Sequence, residues 1–274
     1  MRGALALGVV LLGLAMCGQY QREQSARTAL SMVHRLDQRV AFPTGVAHEC
    51  RSGEPLLRLL VLGQSNAANH GELDTAPSAV DLLAGTRCIR ASDPLPGATG
   101  RGGSVWAKLE VAWAELGLPH RLQLSILAVD ATSSADWTTD GPLRTALFEH
   151  ARLMLKAGTL PHFVLWQQGE ADARQGVDEQ TYKRNLQLLA HDLAQAGVDA
   201  PVVLARSTLC RSAPSNEIRA AIESLASSDP RFRLGPDIDD LAGPTYRHDG
   251  CHLSIAGRKA AAARWAAVLG RLAG

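Results

Sequence analysis

The 274-residue chain reads as an α/β protein with a parallel sheet and crossover helices, and three observations say so. Short apolar, strand-like runs alternate with helix-like stretches from residue 57 onward. The helical stretches carry apolar residues at spacings of three and four. The first run, Leu59-Leu60-Val61-Leu62-Gly63-Gln64-Ser65-Asn66, stops at a glycine and delivers a polar cluster at the end of a buried strand, where open α/β sheets collect their ligands.

Five strands are predicted: Leu57 to Leu62, Thr86 to Arg90, Leu122 to Val129, His162 to Trp166 and Pro201 to Ala205. Between them, Val105, Leu109, Ala112 and Leu116 form one apolar helix face, and Leu143, Leu147, Ala151 and Met154 form another. Further helices fit Glu179 to Ala196, Ser215 to Ala226 and Ser254 to Leu272, the last closing the domain. No internal repeat or low-complexity segment interrupts this order.

The N-terminus has a different character. Met1-Arg2-Gly3 followed by an apolar run from Ala4 to Cys17 has the charged and hydrophobic regions of an export signal. A run of about 15 residues is short for a spanning helix, which needs about 20. Residues 1–17 are therefore expected to be a signal peptide or an N-terminal membrane anchor, and Leu14-Ala15-Met16-Cys17 also has the outline of a lipoprotein box. Residues 18–45 are polar and rich in Arg and Gln, as a membrane-proximal tether or a peripheral helix would be. Residues 46–274 form one expected catalytic domain. The destination is extracytoplasmic, either periplasmic or extracellular.

Charge argues against nucleic acid as a partner. The 28 basic and 27 acidic residues leave a formal charge of +1, too little to generate a field that gathers polyanions. Beyond Cys17 stand four cysteines, an even number that suits disulfides in an oxidising compartment. The preferred pairing is Cys50 with Cys88 and Cys210 with Cys251, with buried free thiols as the alternative. A zinc site is disfavoured, because no short Cys or His pair has the required spacing.

Four places join a strand end or loop to catalytically useful side chains. Ser65 lies one step past the first strand, with Asn66 able to cap the following turn; a serine there could equally be a helix cap. Gly102-Gly103-Ser104 opens the helix near Val105, where backbone can approach an anion closely. Trp166-Gln167-Gln168-Gly169-Glu170 ends a strand in two amides and a carboxylate, and Gln168, next to the glycine turn, could donate to an oxyanion. Asp249-Gly250-Cys251-His252 places an aspartate three residues before a histidine, a spacing that lets the carboxylate hold one ring nitrogen and frees the other as a base. Asn66, Ser133, Trp137 and Glu170 are further candidates to line the substrate site. Tryptophans 106, 137 and 166 could offer a platform for a sugar face, although core packing is the commoner role.

Taken in order over residues 59 to 257, these motifs resemble the SGNH hydrolase superfamily, and within it the sialate O-acetylesterase-like carbohydrate esterases. Gly63-Gln64-Ser65-Asn66 looks like that branch's first block, Gly103 like the glycine of the second, Gln168-Gly169-Glu170 like the third and Asp249-x-x-His252 like the last. The third block departs from the superfamily's asparagine, with glutamine in its place. The resemblance implies a three-layer α/β/α sandwich, flavodoxin-like, with a parallel sheet of about five strands. It also implies a serine esterase with Ser65 as nucleophile, His252 as base and Asp249 as its orienter. The oxyanion hole would be made by the N–H groups of Ser65 and Gly103 and the side chain of Gln168, with no metal or organic cofactor. Substrates would be acetylated carbohydrates or other small esters. Alternatives left open are transfer of acetyl groups to an extracytoplasmic polysaccharide, and a noncatalytic glycan-binding protein.

Overall fold

A computed structural model describes residues 24–43, 55–75 and 78–274. The apolar N-terminal run and Cys50 lie outside the described residues. Seven strands form one sheet: β1 Leu56–Gly63, β2 Ala79–Ala84, β3 Arg87–Ser92, β4 Arg121–Ala128, β5 Phe163–Gln167, β6 Val202–Arg206 and β7 Phe232–Asp237, in the order β3-β2-β4-β1-β5-β6-β7. All neighbouring pairs are parallel except β2 with β3, which form an antiparallel hairpin. The α/β class and the three layers are thus as expected. The sheet has two more strands than expected.

Both extra strands have a disguise in sequence. Strand β2 carries Asp81 among its aliphatics, and that carboxylate is spent on Arg121 at 2.8 Å and Arg90 at 3.1 Å. Strand β7 contains Gly235 and Pro236, which read as a turn. Pro236 is tolerated because β7 is an edge strand, where an N–H is not needed by a neighbour.

The helices are α1 over residues 24–37, α2 Trp106–Glu115, α3 Pro142–Ala157, α4 Glu170–Gln175, α5 Glu179–Gln195, α6 Asn216–Ser228 and α7 Ile255–Ala273. Their ends follow local chemistry. Asp178, Ser215 and Ser254 accept from backbone N–H groups of the first turns of α5, α6 and α7, and Gly158 closes α3 in the left-handed conformation at φ 66°. Among the described residues no helix is long and apolar enough to cross a membrane.

Alternation along β1 divides the core. Leu57, Leu59 and Val61 face one layer, where Trp106 and Leu109 of α2 meet Trp265 and Leu269 of α7. Leu60 and Leu62 face the other, with Leu143 and Leu147 of α3, Leu186 of α5 and Ile222 of α6. Helix α1 joins this second layer through Met32, 3% exposed. The stretch expected as tether or peripheral helix is, in its described part, a helix docked on the domain.

Candidate active site

Register brings the working loops together. Gly63 at the end of β1 pairs with Ala128 of β4 on one side and Gln167 of β5 on the other, so three central strands finish at one level. The loops that follow, Gln64–Asn66, 129–134 and 168–170, therefore share the carboxyl edge of the sheet. Gly63 has φ 146°, and a Cβ there would lie 2.1 Å from the Gln167 carbonyl oxygen. No side chain fits that turn, and its consequence is the sharp exit that sends Ser65 upward into a short 3-10 helix, Ser65–Ala67.

A pocket of about 180 Å³ opens at this edge, lined by Gln64, Ser65, His70, Asp130, Ala131 and Arg174, and on the far side by Arg211, His252 and the disulfide of Cys210 with Cys251. The pairing expected for these two cysteines is present. Cys88 is disulfide-bonded as well. The bridge between Cys210 and Cys251 joins the loop after β6 to the loop before α7 and so fixes the wall that carries His252.

His252 Nδ1 and Asp249 Oδ2 are 2.8 Å apart. Asp249 Oδ1 accepts from the N–H groups of Cys251 at 2.9 Å and His252 at 2.7 Å. Burial works to raise this carboxyl, but those donors and the imidazole outweigh it and hold Asp249 well below the usual carboxylate range. An ionised aspartate on Nδ1 leaves Nε2 as the ring nitrogen that exchanges protons. Two further imidazoles surround it, His70 with its ring centroid 5.5 Å from that of His252 and His248 at 6.2 Å. Burial lowers the His70 pKa, with Asp130 opposing and His252 adding to the fall. His248, Asp249 and His252 also bring three ligand-type atoms within 4.8 Å of one another, but both Asp249 oxygens are already occupied.

The expected oxyanion donors fare differently. Ser65 lines the pocket, and its N–H has no hydrogen-bond partner among the described residues. Gly103 is corrected: its N–H donates to the Gly71 carbonyl at 2.8 Å, and a Cβ at this glycine would strike the Arg258 guanidinium at 2.2 Å. It serves packing. The physical reason lies in the sheet order, because the helix that Gly103 precedes follows the β2–β3 hairpin, whereas β1 is flanked by β4 and β5.

Gln168 is corrected too. Fully buried, its Nε2 donates to the Thr132 carbonyl at 3.0 Å, to Gln64 Oε1 at 3.2 Å and to Asp172, while its Oε1 accepts from the Tyr182 hydroxyl at 3.0 Å. That amide braces the loops under the pocket. Asn66, Ser133, Trp137 and Glu170, expected to line the substrate site, are 4%, 6%, 0% and 1% exposed and do not line the pocket. Trp137 packs edge-on against Trp166 in the core, with centroids 5.5 Å apart. Ser133 is tied to Asp136, and Asn66 pairs with Glu170.

Sequence reading missed Ala131. It follows β4, lines the pocket, and holds φ 54°, a left-handed conformation that a non-glycine residue rarely adopts. Its N–H has no hydrogen-bond partner among the described residues. An alanine among Asp130, Thr132 and Ser133 carries no sequence sign of this geometry; a glycine there would have. Arg174 and Arg211 were missed for a similar reason, being surface arginines until α4 and the disulfide bring them to the rim.

Solved structures share this architecture. A protein from Arabidopsis thaliana aligns at 20% identity with a TM-score of 0.61, covering 78% of this chain and 98% of its own. A family two carbohydrate esterase from Clostridium thermocellum, in complex with cellohexaose, aligns at 14% identity and a TM-score of 0.53, covering 82% and 67%. A GDSL-like protein from Parabacteroides merdae aligns at 15% and 0.51, covering 79% and 97%. At these identities the likeness is one of fold. No curated protein sequence matches the chain. A family model described as carbohydrate esterase, sialic acid-specific acetylesterase, matches residues 58–267, most of the domain built above, and the chain belongs to that family.

Proposed function

We propose that this chain is an exported serine esterase that removes acetyl or other short acyl groups from carbohydrate through an acyl-enzyme on Ser65. The observation that carries the reading is a shared pocket: Ser65 and His252 line it together, and Asp249 holds the imidazole by Nδ1. Ser65 Oγ attacks the ester carbonyl, His252 Nε2 takes its proton and returns it to the departing sugar oxygen, and water repeats the sequence on the acyl-enzyme. Asp249 keeps the tautomer and stabilises the imidazolium. The N–H groups of Ser65 and Ala131 receive the oxyanion, each donor supplying about 3 kcal/mol of transition-state stabilisation.

A pocket of about 180 Å³ suits a short acyl group better than a lipid chain. Two disulfide-bonded cysteine sites support an oxidising destination, and the N-terminal apolar run supports export or a membrane tether. Ser65→Ala and His252→Ala are each expected to abolish hydrolysis of p-nitrophenyl acetate, and acetate release from O-acetylated sugars, in protein that melts normally. Full activity in either variant would end the serine-esterase reading.

A further inference from the structure

Behind the pocket, two buried side chains in contact leave one atom each without a partner. Glu170 Oε1 accepts from Asn66 Nδ2 at 2.6 Å and from Ser207 Oγ at 2.9 Å. Glu170 Oε2 and Asn66 Oδ1 have no hydrogen-bond partner among the described residues. The orientation of the Asn66 amide has independent support, because the same Nδ2 donates to the Cys251 carbonyl at 3.3 Å. Turning the amide over would set its oxygen against both of those acceptors.

The two orphans are thus a carboxyl oxygen and an amide oxygen, and with an ionised Glu170 both are acceptors. Leaving two such atoms buried and unpaired is costly. A single proton resolves both, since an Oε2–H is a donor and Asn66 Oδ1 is an acceptor.

The surroundings favour that proton. The groups that donate to the Glu170 side chain, Asn66, its own backbone N–H and Ser207, are all neutral. The titratable groups around it are Arg247 from the loop before α7, Asp172 in its own turn, Tyr182 of α5, and Asp239 beyond Arg247. Arg247 is the cation among them, and it spends its guanidinium on the carbonyls of Leu241, Ile238 and Cys251. Burial pushes the Glu170 carboxyl up to about 7, against the hydrogen bonds of Asn66 and Ser207 and the attraction of Arg247.

We propose that Glu170 works as a neutral carboxylic acid, a positioning residue whose Oε2–H donates to Asn66 Oδ1 and locks the turn bearing Ser65 to the loop bearing His252. Asn66 is the link: it follows Ser65 in sequence and holds the carbonyl of Cys251, the residue before His252. The kinetic part rests on the reading of Ser65 and His252 as nucleophile and base. Ionising Glu170 sets two acceptors against each other and loosens both catalytic segments together.

The test compares full-length wild type, Glu170→Gln and Glu170→Ala. Infrared difference spectra of wild type minus Glu170→Gln at about pH 6 should show a protonated-carboxyl band that disappears by about pH 8.5. With p-nitrophenyl acetate, Glu170→Ala should lose about tenfold in kcat with little change in KM. Glu170→Gln, whose amide can supply the same donor, should stay within about threefold of wild type and lack its alkaline fall in rate. Absence of the band, or a Glu170→Gln variant that is folded but as slow as Glu170→Ala, would overturn the proposal. If Glu170→Ala does not fold, the band and the pH profile of Glu170→Gln decide. An active Ser65→Ala variant would sink the esterase reading instead, while the band would still report the proton on Glu170.

Discussion

Ala131 stands in a conformation that costs an L-residue about 1 kcal/mol or more, at the position where the proposed mechanism puts an oxyanion donor. Its φ is 54°, and its N–H has no hydrogen-bond partner among the described residues. Ala131→Gly should therefore raise stability by about 1 kcal/mol, or roughly 2–4 °C in Tm, and calorimetry of the pair of proteins checks it; an unchanged or lower Tm would contradict the assigned strain. Glu170 makes the opposite kind of statement. Its carboxyl rises from an ordinary 4.5 to about 7, so the folded state keeps a proton that the unfolded state releases. Stability from this group is complete below the unfolded value and is lost as pH climbs through about 7, a contribution of about 3 kcal/mol. Denaturant midpoints measured across that range should fall with pH in wild type and stay level in Glu170→Gln.

The elements act on the site through their ends. Helix α1 reaches it from outside the sheet, for Arg35 Nη1 donates to the carbonyls of Asp130 at 2.9 Å and Ala131 at 3.1 Å. Those bonds hold the left-handed turn from behind. Arg35→Ala is expected to lower kcat/KM by about tenfold while leaving Tm within a few degrees, and steady-state kinetics beside a melting curve would tell this from general unfolding. Motif reading located the ends of β1 and β5 and the loop before α7, because buried strands announce themselves as apolar runs and Asp249 and His252 lie close in sequence. It put the second expected oxyanion donor at Gly103, whose N–H is spent on the Gly71 carbonyl. A glycine pair such as 102–103 is by itself weak evidence and most often just a turn; the neighbour of β1 is β4, and strand order is a property of long-range pairing that local pattern does not encode.

Across the molecule, two loops far apart in sequence become one wall. Cys210 and Cys251 are separated by 41 residues, and closing such a loop restricts the unfolded chain by up to about 4 kcal/mol. Cys251 also lies inside the Asp249 to His252 segment, so the bridge stabilises the fold and holds the loop that carries His252 together. Replacing both cysteines by serine should lower the melting temperature and reduce kcat, and a reductant titration of wild type followed by activity should reproduce the loss. A doubly substituted protein with unaltered kcat would show that Asp249 and its backbone donors suffice to hold His252.

The α/β class, five of the seven strands, most helix faces and the pairing of Cys210 with Cys251 were legible in the linear chain, because alternation of apolar runs and helical periodicity is local and Asp249-x-x-His252 needs a single loop. The edge strand β7 and the Asp81-bearing β2 were hidden by polar, Gly and Pro residues whose partners lie elsewhere in the fold. Burial turned Trp137, Ser133, Asn66 and Glu170 from expected substrate contacts into the support behind the site. Packing likewise gave Gly103 to Arg258 and Gln168 to the Thr132 and Tyr182 network. Side-chain chemistry names which residues can react; which of them face the pocket depends on strand order and on what each buried polar atom must pair with, and those are settled by contacts between residues distant in sequence.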